Sequence, residues 1–166
     1  MKYIGSVILA FLTLFLSPLN ISAQEKDCLI LPGKGISKIN LSFTSPDSIF
    51  KILGTVPIEE ERYGKEDGGT QYVLKYPDKG IVVRMKKIKK SYEIISIQAQ
   101  KPCECKTPLG IGIGSTKNEL IEKMGKPNDF DETDKESHLT YKGVLFLLTK
   151  NKDNKFVVEK IQVIKE

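Results

Sequence analysis

Ser-Pro-Asp-Ser-Ile-Phe-Lys-Ile-Leu-Gly (Ser45 to Gly54) and Thr-Lys-Asn-Glu-Leu-Ile-Glu-Lys-Met-Gly (Thr116 to Gly125) carry the same signals in the same order, at a constant offset in the chain. Ser45 and Thr116 can cap a helix, because each hydroxyl can accept a hydrogen bond from a first-turn amide that has no partner within the helix. Pro46 suits a first helical position, and Glu119 completes a capping box with Thr116. Ile49, Phe50 and Leu53 fall on Leu120, Ile121 and Met124, and their spacing gives one apolar stripe per helix. Gly54 and Gly125 can adopt the left-handed conformation that ends a helix, and Pro57 and Pro127 keep it from resuming. Two short amphipathic helices are therefore expected.

Working outward, each helix is followed by the same kind of chain. An acidic loop (Glu59 to Gly69; Asp129 to Glu136) leads to a strand ending in tyrosine, Gln71 to Tyr76 or Ser137 to Tyr141. Turns at Pro77 to Gly80 and at Lys142-Gly143 lead into Ile81 to Met85 and Val144 to Thr149. Third strands follow at Tyr92 to Gln100, with Ile95, Ile97 and Ala99 on one face, and at Phe156 to Ile164, with Ile161 and Val163. A helix plus three strands buries too little apolar surface to offset its chain entropy, so two such units must pack together. The expected fold is α+β: a tandem repeat of helix plus three-stranded antiparallel meander, its helices on one face of a joint sheet. The expected division is a signal peptide over 1–23, repeat 1 over 24–101 and repeat 2 over 102–166.

The run Gly112 to Pro127 (GIGSTKNELIEKMGKP), followed by Tyr141 and a hairpin, resembles the module of the beta-lactamase inhibitor protein-like fold. It is also similar to the SmpA/OmlA outer-membrane assembly lipoproteins, which have one such module. The resemblance implies two copies of the module and protein binding through a sheet face or loops, without catalysis. Cys28 follows Glu25-Lys26-Asp27, a context unlike that of a lipid-attachment cysteine.

Composition narrows the classes further. The chain has 166 residues, 26 basic against 21 acidic, one histidine and no tryptophan. Lys2, the apolar run Val7 to Leu16, Pro18 and the small-residue exit Ile21-Ser22-Ala23 read as a secretory signal cleaved near Ala23. The apolar run is shorter than the roughly 20 residues a spanning helix needs, so no stable membrane span is expected after cleavage. The protein is therefore expected in the periplasm or outside the cell. Export argues against nucleic acid as partner. The basic cluster Lys86 to Lys90 reads as a solvated hairpin turn at a sheet edge.

In an oxidising compartment one of Cys28, Cys103 and Cys105 must be left over, and the expected bridge joins Cys28 to Cys103 or Cys105. A Cys-Glu-Cys redox or metal site is the alternative, though it lacks a matching ligand set. Gly110 to Gly114 matches neither phosphate-binding nor dinucleotide fingerprints. Asp129, Asp131 and Asp134 lack the turn glycine and bidentate glutamate of a calcium loop. A nucleophilic triad would have to use His138, with no elbow motif to present the nucleophile. No catalytic, cofactor-binding or metal residue is thus assigned and no cofactor is expected. The functional expectation is an exported, non-catalytic protein-binding module, a scaffold component or an inhibitor, whose partner is another envelope or secreted protein. Tyr72, Tyr76, Tyr92 and Tyr141 are its candidate contact residues, since tyrosine joins large area to a polar end. A small carrier or enzyme using a pocket near His138 is the competing class.

Overall fold

The computed structural model describes residues 28–62 and 70–166. The expected signal peptide with its cleavage point, and the part of the expected first acidic loop over 63–69, lie outside the described residues. Helices α1 (Pro46–Leu53) and α2 (Lys117–Met124) begin on their caps. Ser45 Oγ accepts from the Asp47 amide at 3.2 Å. Thr116 Oγ1 accepts from the Glu119 amide at 3.2 Å while Glu119 Oε2 accepts from the Thr116 amide at 2.7 Å. Both helices stop on glycines with φ of 96° and 78°, but ψ is extended, at 163° and −162°. This is not the left-handed helical pair expected from sequence; it is a region essentially restricted to glycine. The carbonyl of each of these glycines is then held by a tyrosine: Tyr76 Oη donates to Gly54 O and Tyr141 Oη to Gly125 O, both at 2.9 Å.

The expected fold of tandem helix-plus-three-strand units is corrected by the sheet. Strand makes up about half of the described residues, arranged as an eight-stranded antiparallel sheet with a separate three-stranded one. Strands β1 (Ile30–Leu31), β2 (Gly35–Ile36) and β3 (Ile39–Asn40) form the small sheet. The large sheet contains β4 (Ile58–Arg62), β5 (Thr70–Tyr76), β6 (Ile81–Ile88), β7 (Ser91–Gln100), β8 (Asp129–Glu132), β9 (Glu136–Tyr141), β10 (Val144–Lys150) and β11 (Phe156–Ile164), in the order β4-β5-β6-β7-β11-β10-β9-β8. Its centre is the ladder in which Lys160 to Ile164 of β11 run against Ser96 to Gln100 of β7.

Edge strands β4 and β8 occupy stretches expected to be loops. Their sequences, Ile-Glu-Glu-Glu-Arg and Asp-Phe-Asp-Glu, show little of the apolar alternation that marks a strand, and all of β8 is exposed. Backbone pairing with β5 and β9 is what makes them strands. Acidic side chains there also discourage pairing with other copies.

One apolar core lies between the large sheet and a covering layer. Ile97, Ala99, Phe146, Leu148, Ile161 and Val163 from the sheet meet Ile49 of α1 and Leu120 of α2. Ile30, Ile36, Ile39 and Leu41 join the same core, and β2 lies against β7 and β11. The covering layer thus includes the small sheet as well as the helices. Gly143, in the β9–β10 turn, accepts from the Gly33 amide at 2.9 Å and so fastens the β1–β2 turn to the large sheet. The register shift between Arg84 and Met85 pairs Ser96 with Arg84 and Ile94 with Met85, skipping Ile95. Ile94, rather than the expected Ile95, therefore joins Ile97 and Ala99 in the core.

The opposite face of the sheet carries a row that the register runs through six strands: Thr140, Leu145, Gln162, Gln98, Val82, Lys75. Amides and aliphatics fill its middle, and at its end Lys75 ion-pairs with Glu59 and Glu61 at 2.6 and 3.0 Å.

Candidate functional site

The most exposed apolar surface beside an open strand edge lies between α2 and β8. Phe130 is 49% exposed and Ile121 38% exposed, although large apolar side chains are ordinarily covered. Phe130 pairs with the fully buried Leu139, so its ring continues the inner face of the sheet beyond the part that α2 covers. With Lys117, Gly125 and Pro127 these residues line a groove of about 470 Å³. Among the described residues no strand pairs with the outer edge of β8.

Electrostatics order the rim of this groove. Lys117 Nζ stands 4.5 Å from the Phe130 ring centroid, within cation–π range, and is ion-paired with Glu132. That ammonium holds the Glu132 carboxyl below its ordinary range. Asp129 and Asp131 flank Phe130 on the other face of β8, opposite Thr140 and His138. The groove therefore has an apolar floor, Lys117 and Lys126 in its wall, and an acidic strand edge.

The four tyrosines lie elsewhere. Tyr76 and Tyr141 are buried in the core, with their hydroxyls engaged by Gly54 and Gly125, and burial pushes both phenols up. Tyr72 and Tyr92 are half-buried and pack edge to face, with ring centroids 5.5 Å apart. No tyrosine stands in the six-strand row on the outer face, and the α2–β8 groove was not singled out from sequence. The signal was present in Phe130, the one apolar residue in an acidic stretch.

His138 is also on the sheet, half-exposed, with Nε2 3.8 Å from Glu136 Oε2. It lines neither the α2–β8 groove nor the pocket beside the cysteines. In the glycine-rich loop the amides turn inward: Gly114 N donates to Val158 O at 2.8 Å and Gly112 N to Ser115 Oγ at 3.2 Å. The lysine cluster lies at the β6–β7 hairpin, where Lys86 pairs with Glu93 at 2.9 Å.

The bridge is Cys28–Cys105, and Cys103 is a buried free thiol beside it. A disulfide is the covalent mark of an oxidising compartment, in agreement with export. No helix among the described residues is long and apolar enough to cross a membrane.

No protein-family model matches the chain, and no curated protein matches it. A solved structure with some likeness is a cysteine-rich secretory protein from Staphylococcus aureus subsp. aureus Mu50, at 14% identity and a TM-score of 0.43. The likeness covers 74% of this chain and 44% of that protein, so the chain spans less than half of its length. It is too loose to carry fold or function across. The resemblance to the beta-lactamase inhibitor protein-like fold and to the SmpA/OmlA lipoproteins is likewise withdrawn, because no family model supports it and the sheet architecture differs. Capping and turn signals carried that resemblance, and any fold with short capped helices can share them.

Proposed function

We propose that the protein is an exported, non-catalytic binding protein whose partner, another envelope or secreted protein, docks an extended segment along β8. The observation that carries this reading is Phe130, an exposed aromatic at the mouth of a groove beside an open strand edge. A strand added to a sheet edge gains affinity from backbone hydrogen bonds and specificity from side-chain pockets. The acidic edge favours a segment in which basic residues alternate with an aliphatic or aromatic residue that can enter the groove. Such a contact suits either a scaffold component or an inhibitor of a secreted enzyme. The mature chain begins at Gln24, and intact-mass measurement on exported material checks that point.

The test is to pan a random peptide library against the mature protein. Enrichment of basic–apolar alternation is expected, with at least a ~10-fold loss of affinity on Phe130→Asp, as for a central aromatic contact. Peptides that bind equally well to Phe130→Asp would refute the reading. So would a preference for acidic sequences.

A further inference from the structure

The three cysteines form a cluster: their sulfurs all lie within 4.8 Å of one another. We propose that Cys28, Cys103 and Cys105 make up a thiol–disulfide exchange site, in which Cys103 attacks the Cys28–Cys105 bridge and whose external substrate is a small organic thiol. Proximity alone would be a weak argument if breaking the bridge released Cys28. The backbone keeps Cys28 in place without the bridge. Lys106 N donates to Cys28 O at 3.3 Å, and Ile30 N donates to Lys106 O at 2.9 Å. Cys103 is held from the other side, its amide donating to Gln100 O at 2.8 Å.

A pocket of about 220 Å³ touches all three cysteines, with Ile36, Ile39 and Ile81 among its walls. Cys28 is exposed whereas Cys103 and Cys105 are 8% and 2% exposed, so an incoming thiol meets Cys28 first.

The chemistry balances without an oxidant. Cys103 gives up its proton to solvent, and its sulfur attacks Cys28 Sγ. A Cys28–Cys103 bond forms as the Cys28–Cys105 bond breaks, and Cys105 leaves as a thiolate that takes up a proton. A small thiol enters by the same attack on Cys28, giving a mixed disulfide and a Cys105 thiolate. Cys103 then resolves it and returns the small thiol. Burial pushes the Cys103 thiol up, a hydrogen bond from the Cys105 backbone offsets part of this and the Glu104 carboxylate adds to the rise, with Lys79 the cation lining the same pocket. Exchange is therefore slow at neutral pH and faster in alkali.

Two measurements test the proposal. In Cys105→Ser, thiol counting under denaturing conditions should find no free thiol, because Cys28 bonds to Cys103; finding both remaining thiols free would overturn it. In the unmodified chain held at about pH 9, above the ordinary thiol pKa, free thiols are blocked with N-ethylmaleimide. Cleavage after Glu104 then separates Cys103 from Cys105. Blocked Cys105 in a fraction of chains is expected, and label confined to Cys103 would overturn the exchange. In Cys103→Ser, which lacks the resolving thiol, 2-mercaptoethanol as probe should leave a mixed disulfide on Cys28; none, or one on Cys105 instead, would overturn the small-thiol assignment.

Discussion

Replacing Gly125 with alanine isolates a conformational cost from every packing cost. Gly125 ends α2 at φ 78° and ψ −162°, and a Cβ built there meets nothing within 4 Å. No clash arises, so only the backbone geometry resists the change. Holding an alanine in so sparsely populated a region costs about 1–3 kcal/mol. Restricting the unfolded chain returns about 0.4–1 kcal/mol. At mid-range values the net destabilisation should therefore be about 1.3 kcal/mol, a fall of ~3–5 °C in melting temperature for a chain of this size. Urea denaturation should show a lower midpoint at unchanged slope, since no surface is newly exposed. Gly54→Ala, with φ 96°, ψ 163° and the same open space, should lose a comparable amount. Wild-type stability in both variants would show that these helix ends do not adopt the described geometry.

Tyr76→Phe and Tyr141→Phe should each lose about 1 kcal/mol by chemical denaturation, because each removes one hydroxyl-to-carbonyl bond and leaves the ring packing intact. Cys28→Ser should be the costliest cysteine substitution. It opens a bridge between residues 77 apart, worth ~4.5 kcal/mol from loop closure, whereas Cys105→Ser can still bridge through Cys103. The Glu93 carboxyl, hydrogen-bonded by Lys165 at 2.5 Å and Lys86 at 2.9 Å, is lowered to about 2. Its contribution is present above the ordinary carboxyl pKa and fades as pH falls through about 2, so Lys165→Met should move its NMR titration midpoint upward.

Those parts of the fold that follow from local rules were legible in the sequence. Ser45, Thr116 and Glu119 cap where the spacing predicts, and six strands lie where alternation or apolar runs put them. What escaped depends on distant partners. Ile30–Leu31, Gly35–Ile36 and Ile39–Asn40 are two-residue strands, too short for any period to register. The edge strands β4 and β8 owe their form to the ladder beside them. Alternation puts Ile95 on the core face, but a bulge depends on the register between two strands and leaves no mark in either alone. For the site, tyrosine chemistry suits both contact surface and core, and it takes the packing to place Tyr76 and Tyr141 among the buried residues. Phe130 stands in an acidic stretch whose composition predicts a solvated loop, so no local pattern marks it.

The central position of β11 bears on when the chain can become native. Phe156 to Ile164 come after every other strand in the sequence, yet they fill the middle of the sheet between β7 and β10. Until they emerge from a ribosome or translocation channel, β7 and β10 each lack a neighbour, and the two flanking sets of strands have no ladder joining them. Such late, long-range closure is slow to form. A newly made chain should thus stay unfinished until this last stretch is free, and acquire its shape only then.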